Sequence, residues 1–292
     1  MKKILLVGKN GQVGWELQRT LASLGDVVAI DRQGMDLANP DSIRNAIRAT
    51  RPDLIVNAAA YTAVDKAESE PELAMAINGI APGIMAEEAK RLGATVIHYS
   101  TDYVFDGTKK SPYVEEDVPN PINVYGKTKL AGEQAIQAAG IPHLILRTSW
   151  VYGLRGRNFL LTILRLAKER DELKIVNDQI GAPTWSRMIA EATGQMLAQR
   201  KLDLREVGGV YNLTAAGRTS WHSFTQAIIE NTSNQTQSSP RLIPIATHEY
   251  PLPAPRPLYS ILSNDKLSRV FGMKLPAWDA SLRLCLDEGD LQ

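Results

Sequence analysis

The chain has 292 residues, of which 33 are Lys or Arg and 32 are Asp or Glu, so its formal net charge is +1. Proteins that bind nucleic acids or anionic membranes concentrate positive charge, so this balance argues against both partners and favours a small-molecule ligand. With 44% hydrophobic and 22% charged residues, the chain is globular rather than disordered or fibrous. Its length indicates one large domain or two small ones.

The cysteine content and the apolar runs indicate a cellular compartment. The single cysteine, Cys285, cannot form an intrachain disulfide, and no run of eighteen apolar residues offers a membrane-spanning helix. The first apolar run, residues 4–7, is too short for a secretion signal. We therefore expect a cytoplasmic protein.

The first half of the chain alternates short Val- and Ile-rich runs with amphipathic stretches. This alternation predicts βαβ units and a Rossmann-type doubly wound parallel sheet in an α/β fold. The predicted strands are residues 4–7, 27–30, 54–56, 95–99 and 144–146, and the predicted helices are residues 11–24, 40–50, 72–92 and 124–139. We expect six parallel strands before residue 150.

The regular alternation of apolar runs and amphipathic stretches breaks after residue 153, and this change predicts two structural units. Residues 1–153 are expected to form a dinucleotide-binding domain and residues 154–292 a smaller α/β substrate-binding lobe, with the chain free to cross between them. Predicted elements of the lobe are helices 158–170, 184–200 and 220–231 and strands 173–176 and 210–213. The polar stretch 232–239 and the proline-dense segment 251–257 are interpreted as solvated connections.

A glycine-rich turn follows the first predicted strand. Gly8, Gly11 and Gly14 are spaced G-x-x-G-x-x-G and open a helix, where backbone N–H groups can approach a pyrophosphate. Three glycines at fixed spacing also arise by chance, but their place between a strand and a helix favours dinucleotide binding. Asn10, Gln12 and Val13 belong to the same predicted turn.

Charged residues follow the second strand, where a dinucleotide-binding fold reads the adenosine ribose. Asp31 favours the free ribose hydroxyls of NAD, and Arg32 can hold the 2′-phosphate of NADP, so we expect either NADH or NADPH. The pair can also be a merely solvated loop. Asp36 and Leu37 are weaker candidates for contact with the adenine.

Tyr125 and Lys129 lie at i and i+4, on one face of the predicted helix. A lysine there is expected to lower the tyrosine pKa and make the phenol a proton donor near neutrality. Such a pair arises easily by chance, but its position downstream of the glycine turn favours catalysis. Thr101 ends the preceding strand and can hydrogen-bond a reacting oxygen, although Ser-Thr at a strand end is more often a turn or helix cap.

Six segments of the sequence narrow the choice of protein family. They are Gly-Gln-Val-Gly-Trp-Glu-Leu at 11–17, Asn-Ala-Ala-Ala-Tyr-Thr-Ala-Val-Asp-Lys-Ala-Glu at 57–68, Ser-Thr-Asp-Tyr-Val-Phe at 100–105, Asn-Val-Tyr-Gly-Lys-Thr-Lys-Leu-Ala-Gly-Glu at 123–133, Arg-Thr-Ser-Trp-Val-Tyr at 147–152 and Asn-Asp-Gln-Ile-Gly-Ala-Pro-Thr at 177–184. Together they resemble the extended short-chain dehydrogenase/reductase family and, within it, the dTDP-4-dehydrorhamnose reductases. The resemblance is specific to about residue 185 and thinner beyond it.

The resemblance implies NAD(P)H-dependent reduction of the 4-keto group of dTDP-6-deoxy-L-lyxo-4-hexulose to dTDP-L-rhamnose, the last step of dTDP-rhamnose synthesis. It implies a catalytic trio of Thr101, Tyr125 and Lys129. Cofactor contacts are implied for Ala58, Ala59, Ala60, Thr148 and Ser149, and contacts with the dTDP-sugar for Asp102, Tyr103, Trp150 and Arg256. Trp150 can equally be a half-buried core aromatic, and Pro255 and Tyr259 depart from the Arg-Arg-Pro-x-Asn-Ser pattern of the family.

Two alternative functions remain open from the residues alone: another nucleotide-sugar reductase or epimerase, and a catalytically silent dinucleotide-binding regulatory subunit. No metal ligand set is expected, because the four histidines, at 98, 143, 222 and 248, lack metal-ligand spacing and are interpreted as structural. Some related reductases dimerise around magnesium held by glutamates, and two of those positions correspond to Glu16 and Glu288. The third falls at Arg187, so we expect a metal-free monomer or homodimer.

Overall fold

Residues 2–199, 203–232 and 240–289 are described by the computed structural model. Its strands are β1 Lys2–Val7, β2 Gly25–Ile30, β3 Leu54–Asn57, β4 Thr95–Thr101, β5 His143–Thr148, β6 Val151–Tyr152, β7 Glu172–Val176, β8 Ile180–Gly181, β9 Thr184–Trp185, β10 Gly209–Asn212, β11 Thr219–Ser220 and β12 Arg241–Ile245. The predicted helix end at Arg200 and residues 233–239 of the predicted polar connection lie outside the described residues.

The α-helices surround the sheet and build the second lobe. They are α1 Gln12–Ala22, α2 Pro40–Thr50, α3 Val64–Ala67, α4 Pro71–Met75, α5 Ala81–Leu92, α6 Val124–Ala138, α7 Phe159–Glu169, α8 Ser186–Ala198, α9 Leu204–Val207, α10 Trp221–Thr232, α11 Asp265–Phe271 and α12 Trp278–Gly289. Across the three described ranges, no helix is long and apolar enough to cross a membrane.

A parallel sheet of six strands, in the order β2-β1-β3-β4-β5-β10, confirms the Rossmann-type α/β class. The prediction of six strands before residue 150 is wrong, because only five precede it. The sixth, β10, comes from the second half of the chain and pairs with β5 in parallel, with Tyr211 opposite Leu146. Since β5 would otherwise present an unpaired edge, β10 satisfies its backbone groups.

Helices cover both faces of the sheet, which explains why its strands read as continuous apolar runs. On one face Leu17 and Leu21 of α1 pack with Ile189 of α8. On the other face Ile43 of α2 and Met85 of α5 pack in a second buried cluster. Apolar side chains therefore fill most of both faces, and the carboxyl ends of the strands are left open to bind a ligand.

The predicted helix 72–92 is interrupted by one turn of π-helix, Ala76–Ile80. This turn buries Asn78, whose amide oxygen accepts a hydrogen bond from the backbone N–H of Tyr61 at 2.8 Å. The amide nitrogen donates to the Thr128 hydroxyl on α6 at 3.2 Å. Asn78 therefore ties the segment after β3 to the helix that carries the Tyr-Lys pair.

The smaller lobe has its own apolar cluster, in which Tyr152, Phe224 and Leu282 are buried. Its parallel β7–β12 pair sets Leu173 opposite Leu242. Strand β10 belongs to the second half of the chain but pairs within the large sheet. The six-stranded sheet therefore contains strands from both sides of the boundary predicted at residue 153.

Candidate active site

The turn between β1 and α1 has the shape of a phosphate cradle. Gly8 adopts φ +89°, and a Cβ atom built on it would lie 2.8 Å from the backbone nitrogen of Ala59. A Cβ on Gly14 would lie 2.1 Å from the Gly8 carbonyl oxygen, so only glycine lets the helix approach the strand this closely. Gly11 at the N-cap provides no side-chain cap, which leaves N–H groups of the first turn available to an anion. These residues fit a dinucleotide pyrophosphate.

The side chains of this turn contact other parts of the protein and do not line the phosphate cradle. Asn10 donates to Asp31 at 3.2 Å, and Gln12 accepts a hydrogen bond from Asn158 of the second lobe at 2.9 Å. Val13 packs on the core beneath the sheet. A contact between Gln12 or Val13 and a phosphate would therefore use backbone N–H groups.

Asp31 and Arg32 at the end of β2 have different surroundings. Burial raises the pKa of Asp31, but the hydrogen bond and charge of Lys9 outweigh it and leave the pKa below its ordinary value. Arg32 has an 81% exposed side chain and a loose ion pair with Asp36, 3.7 Å from Nε to Oδ1. Leu37 is buried in the core, so its side chain is not free to contact an adenine.

The implied nicotinamide end lies at neighbouring strand ends. The backbone N–H of Ala58 donates to the Val7 carbonyl at 3.0 Å, which places Ala58, Ala59 and Ala60 beside the glycine cradle. Thr148 ends β5, and its buried hydroxyl has no hydrogen-bond partner among the described residues. Such an orphaned hydroxyl fits a ligand contact, whereas Ser149 already donates to the Ala182 carbonyl at 2.7 Å.

Thr101 and Tyr125 meet at the carboxyl end of β4. Thr101 Oγ1 accepts the backbone N–H of Tyr103 at 3.1 Å, so the cap interpretation of this residue is correct. The same hydroxyl lies close enough to the Tyr125 phenol to lower its pKa. Gly126 permits this approach, because a Cβ there would lie 2.1 Å from the Tyr103 carbonyl oxygen. Asn123 caps α6 by accepting the N–H of Gly126 at 2.8 Å.

Lys129 is held by β4, and its predicted electrostatic role toward Tyr125 stays a prediction. Its side chain is buried, and Nζ donates to the Tyr99 carbonyl at 2.6 Å and lies 3.2 Å from Nε2 of His98. Burial raises the pKa of Tyr125 to about 12, against the lowering by the Thr101 hydrogen bond. Burial also lowers the pKa of Lys129 to about 8, against the raising effect of the Glu133 charge.

His98, which the sequence indicates to be structural, is buried between Asn57 and Lys129. Its Nδ1 is 3.1 Å from the Asn57 amide nitrogen, and the Asn57 oxygen accepts the N–H of Ala59. Burial and then the charge of Lys129 push the pKa of His98 well below its ordinary value. A neutral imidazole therefore links the lysine to the strand end beside the glycine cradle.

Asp102 is a further buried ionisable group of the site. Its Oδ1 accepts the Thr101 hydroxyl at 3.1 Å. Burial, opposed by the nearby Ser260 and Thr101 hydroxyls, raises the pKa of Asp102 to about 7. Ser260 lies far along the chain, and spacing alone gives no signal that it joins Asp102.

Aromatic side chains border the site. Tyr103 meets the Tyr125 ring edge to face at 5.8 Å. Trp150 is half-buried with φ +47° and stacks on Trp221 at 3.5 Å between ring centroids. A Cβ on Gly181 would lie 2.3 Å from the Trp150 indole, so this packing requires glycine. That Tyr103 and Trp150 contact the substrate stays a prediction. Trp221 also borders the site through its stacking on Trp150, and the sequence motifs did not include it.

Arg256, predicted to face a pyrophosphate, is engaged by Asp65. Nη1 and Nη2 donate to the two carboxylate oxygens at 2.9 and 2.8 Å, and Nη1 also donates to the Ala254 carbonyl at 2.6 Å. Burial raises the pKa of Asp65, but the Arg256 hydrogen bond outweighs it and the pKa is lowered. Arg256 is thus not a free cation here, although Nε and one N–H of Nη2 remain to bind an anion.

The structure therefore brings together a glycine cradle at the head of α1 and, at the same edge of the parallel sheet, Thr101, Tyr125 and the buried Lys129. The reactive groups lie where open α/β sheets bind their ligands, outside the carboxyl ends of the strands. This is the architecture of an extended short-chain dehydrogenase/reductase.

Comparison with known proteins identifies the family. The model of the RmlD substrate binding domain matches residues 1–291. The dTDP-4-dehydrorhamnose reductase of Burkholderia thailandensis is 50% identical, and the match covers 97% of this chain and 98% of that protein. The chain belongs to the dTDP-4-dehydrorhamnose reductase family.

Solved structures of other proteins support this family membership. A dTDP-4-dehydrorhamnose reductase of Clostridium acetobutylicum is 38% identical and superposes with a TM-score of 0.91, covering 99% of each chain. The reductase of Bacillus anthracis, solved in complex with NADP, is 34% identical with a TM-score of 0.91 and covers 98% of this chain and 99% of its own.

Proposed function

We propose that this protein reduces the 4-keto group of dTDP-6-deoxy-L-lyxo-4-hexulose with NADPH or NADH and forms dTDP-L-rhamnose. The observation that carries the proposal is that α6 packs against the end of β4 beside the glycine cradle, with the Tyr125 ring against Tyr103 and Lys129 hydrogen-bonded to the Tyr99 carbonyl. Family membership supports the choice of sugar nucleotide. The predicted setting is the cytoplasm, as a monomer or homodimer.

The residues divide the work between binding and proton transfer. When bound, the reduced nicotinamide supplies the hydride. Gly8, Gly11 and Gly14 hold the pyrophosphate, while Tyr125 gives its proton to the sugar oxygen and Thr101 hydrogen-bonds the same oxygen. Since Lys129 is held by Tyr99 and His98 without cofactor, its proposed contact with the nicotinamide ribose requires its Nζ to turn.

The aromatic and charged side chains that border the site are proposed to bind the sugar nucleotide. Asp102, Tyr103 and Trp150 are proposed to contact the sugar, and Arg256 the pyrophosphate. The two free N–H groups of Arg256 allow this contact without breaking the pair with Asp65.

An activity assay tests the proposal. Purified protein is mixed with NADPH or NADH and with the 4-keto sugar nucleotide freshly made by the preceding pathway enzymes, and cofactor oxidation is followed at 340 nm. NMR of the product decides between dTDP-L-rhamnose and an epimeric sugar. Absence of cofactor oxidation, with dinucleotide binding retained, would instead support a silent dinucleotide-binding subunit.

A further inference from the structure

Trp150 has a backbone conformation that is uncommon for a bulky residue. Its φ of +47° lies in the left-handed region, which side chains of this size occupy only where the surrounding structure holds them. Arg51 shares this conformation as the C-cap of α2, where left-handed backbone is common, but Trp150 ends no helix. Trp150 follows Thr148 by two positions, and Thr148 pairs with Thr101 where β5 and β4 end. The strained residue therefore lies at the edge of the sheet that carries the candidate site.

The Trp150 indole is one end of a row of aromatic rings. It stacks on the Trp221 indole with 3.5 Å between ring centroids and 6° between the ring planes. Trp221 contacts Phe159 at 4.4 Å, and Phe159 lies 5.8 Å from Phe224, which is fully buried in the apolar cluster of the smaller lobe. These four rings are called the aromatic row below. The row connects the core of the smaller lobe to a half-buried indole at the edge of the large sheet.

Trp221 is itself held in place by the smaller lobe. Its indole N–H donates to Gln179 Oε1 at 3.2 Å, and Gln179 Nε2 donates to the Thr247 hydroxyl at 3.2 Å. Trp221 begins α10 directly after Ser220, which pairs with Ile180 between β11 and β8. A ring with a neighbouring ring on each side of the row and a bonded N–H has little freedom to turn. Trp221 is therefore a rigid support for the indole that stacks on it.

Strand β8 leaves room for the Trp150 indole only because residue 181 is glycine. A Cβ atom on Gly181 would lie 2.3 Å from Cε2 and 2.7 Å from Nε1 of the indole. Gly181 is not among the glycines with positive φ, so alanine could adopt its backbone and only the space requires glycine. The indole is thus confined by Trp221 and by Gly181, and both belong to the second half of the chain.

We propose that Trp221 is a positioning residue for the sugar nucleotide, because its ring fixes the Trp150 indole in the place from which Trp150 contacts the sugar. This rests on the proposed function, in which Trp150 is a substrate contact. A side chain that is fixed before binding loses little freedom when the ligand arrives, and a small displacement of the sugar from the reacting groups slows the reaction strongly. The strained backbone of Trp150 is retained because the aromatic row and Gly181 hold the indole there.

A double-mutant cycle tests whether Trp221 acts through Trp150. We expect Trp150→Leu and Trp221→Leu each to lower kcat/KM for the 4-keto sugar nucleotide by about tenfold or more. The variant with both changes should stay within about threefold of Trp150→Leu, because the support has no effect once the indole is gone. The dissociation constant of NADPH should stay within about twofold of wild type in all three variants, since the glycine cradle at α1 is unchanged.

Two further variants separate positioning from stability. Trp221→Phe keeps a flat ring under the Trp150 indole and should restore kcat/KM to within about threefold of wild type. Trp278→Leu is the matched control, because it removes an indole that meets Phe224 edge to face at 5.9 Å in the same lobe. We expect wild-type kcat/KM in this control, whatever its melting temperature. Equal losses in Trp278→Leu and Trp221→Leu, or losses at Trp150 and Trp221 that multiply in the double variant, would overturn the proposal.

Gly181→Ala keeps the proposal testable if Trp221→Leu fails to fold. It retains both indoles but displaces that of Trp150, so kcat/KM for the sugar nucleotide should again fall by about tenfold or more. A folded Gly181→Ala variant with wild-type kcat/KM would overturn the proposal.

Calorimetric titration with dTDP-L-rhamnose measures the same effect without turnover. We expect the affinity to fall by about tenfold in Trp221→Leu and to be unchanged in Trp278→Leu. Equal affinities in wild type and Trp221→Leu, together with equal kcat/KM, would overturn the positioning role. A wild-type protein that binds dTDP-L-rhamnose but does not oxidise NADPH with the 4-keto sugar nucleotide would contradict the proposed function instead, so the two failures are distinguishable.

Discussion

Arg187 Nη2 lies 2.6 Å from Glu288 Oε1, and Arg187 Nε lies 3.5 Å from Glu16 Oε2. The guanidinium thereby joins α8 to both α12 and α1. A guanidinium between two carboxylates occupies the place that a dication would need and satisfies their charge.

Assembly should therefore be independent of divalent metal. We expect light scattering to give the same molar mass before and after EDTA, and again after addition of magnesium. Arg187→Glu leaves three carboxylates together and should lower the melting temperature until magnesium is added. A wild-type dimer that dissociates on chelation and re-forms with magnesium would show that the bridge does not replace a metal.

Tyr125→Phe should lower the turnover number by roughly a hundredfold or more, because the phenol is the proposed donor to the sugar oxygen. The dissociation constant of NADPH, measured by fluorescence, should stay nearly unchanged. Tyr211→Phe is a matched control: it also removes a phenol from a buried ring, whose hydroxyl donates to the Val207 carbonyl away from the site. Similar turnover in the two variants would exclude Tyr125 as the acid.

Arg32→Ala should raise the Michaelis constant for NADPH more than that for NADH. The 81% exposed side chain and the 3.7 Å pair with Asp36 leave the guanidinium free to turn toward a 2′-phosphate. NADH, which lacks that phosphate, is the internal control. If both constants rise equally, Arg32 points to solvent when the cofactor is bound.

Arg256→Ala should raise the Michaelis constant for the sugar nucleotide by about tenfold and change the turnover number little. The guanidinium keeps two N–H groups that can donate to a pyrophosphate. Losing such charge-assisted hydrogen bonds costs about 1.5 kcal/mol or more of binding free energy. Initial-rate kinetics measures this. Since the variant also frees Asp65, a melting curve should accompany it, and an unchanged Michaelis constant in a folded variant would assign Arg256 to structure alone.

Asp102 should make the protein less stable as the pH rises. Its pKa is about 7 in the folded protein against 3.8 ordinarily, so between these values the folded state holds a proton that the unfolded chain has lost. Its contribution to the free energy of unfolding falls over that window, and the cost is complete above about pH 7. The melting temperature of Asp102→Asn relative to wild type should therefore increase from about pH 5 to about pH 8. A constant difference would contradict the raised pKa.

Features that depend on local spacing could be predicted from the sequence. The glycine cradle and the Tyr125–Lys129 pair lie within single turns, and Thr101 follows directly from the end of its strand. The orientation of Lys129 could not be predicted, since the Tyr99 carbonyl and His98 on β4 decide where its ammonium points.

Contacts between distant parts of the chain were also missed. Ser260 reaches Asp102, Asp65 binds Arg256 and Trp221 stacks on Trp150, and none of these pairs has a fixed separation that a pattern could reveal. The expectation that all six strands precede residue 150 failed for the same reason. A four-residue strand such as β10 joins the sheet only through tertiary pairing, which local periodicity does not specify.

The late position of β10 affects how the protein can be made. During synthesis the edge of β5 stays open until Gly209–Asn212 has left the ribosome, although the other five strands are already complete. A fragment ending at residue 153 would keep that open edge permanently and offer it to strands of other molecules. Residues 1–153 thus form a continuous stretch of sequence whose sheet is completed only by a strand from the rest of the chain.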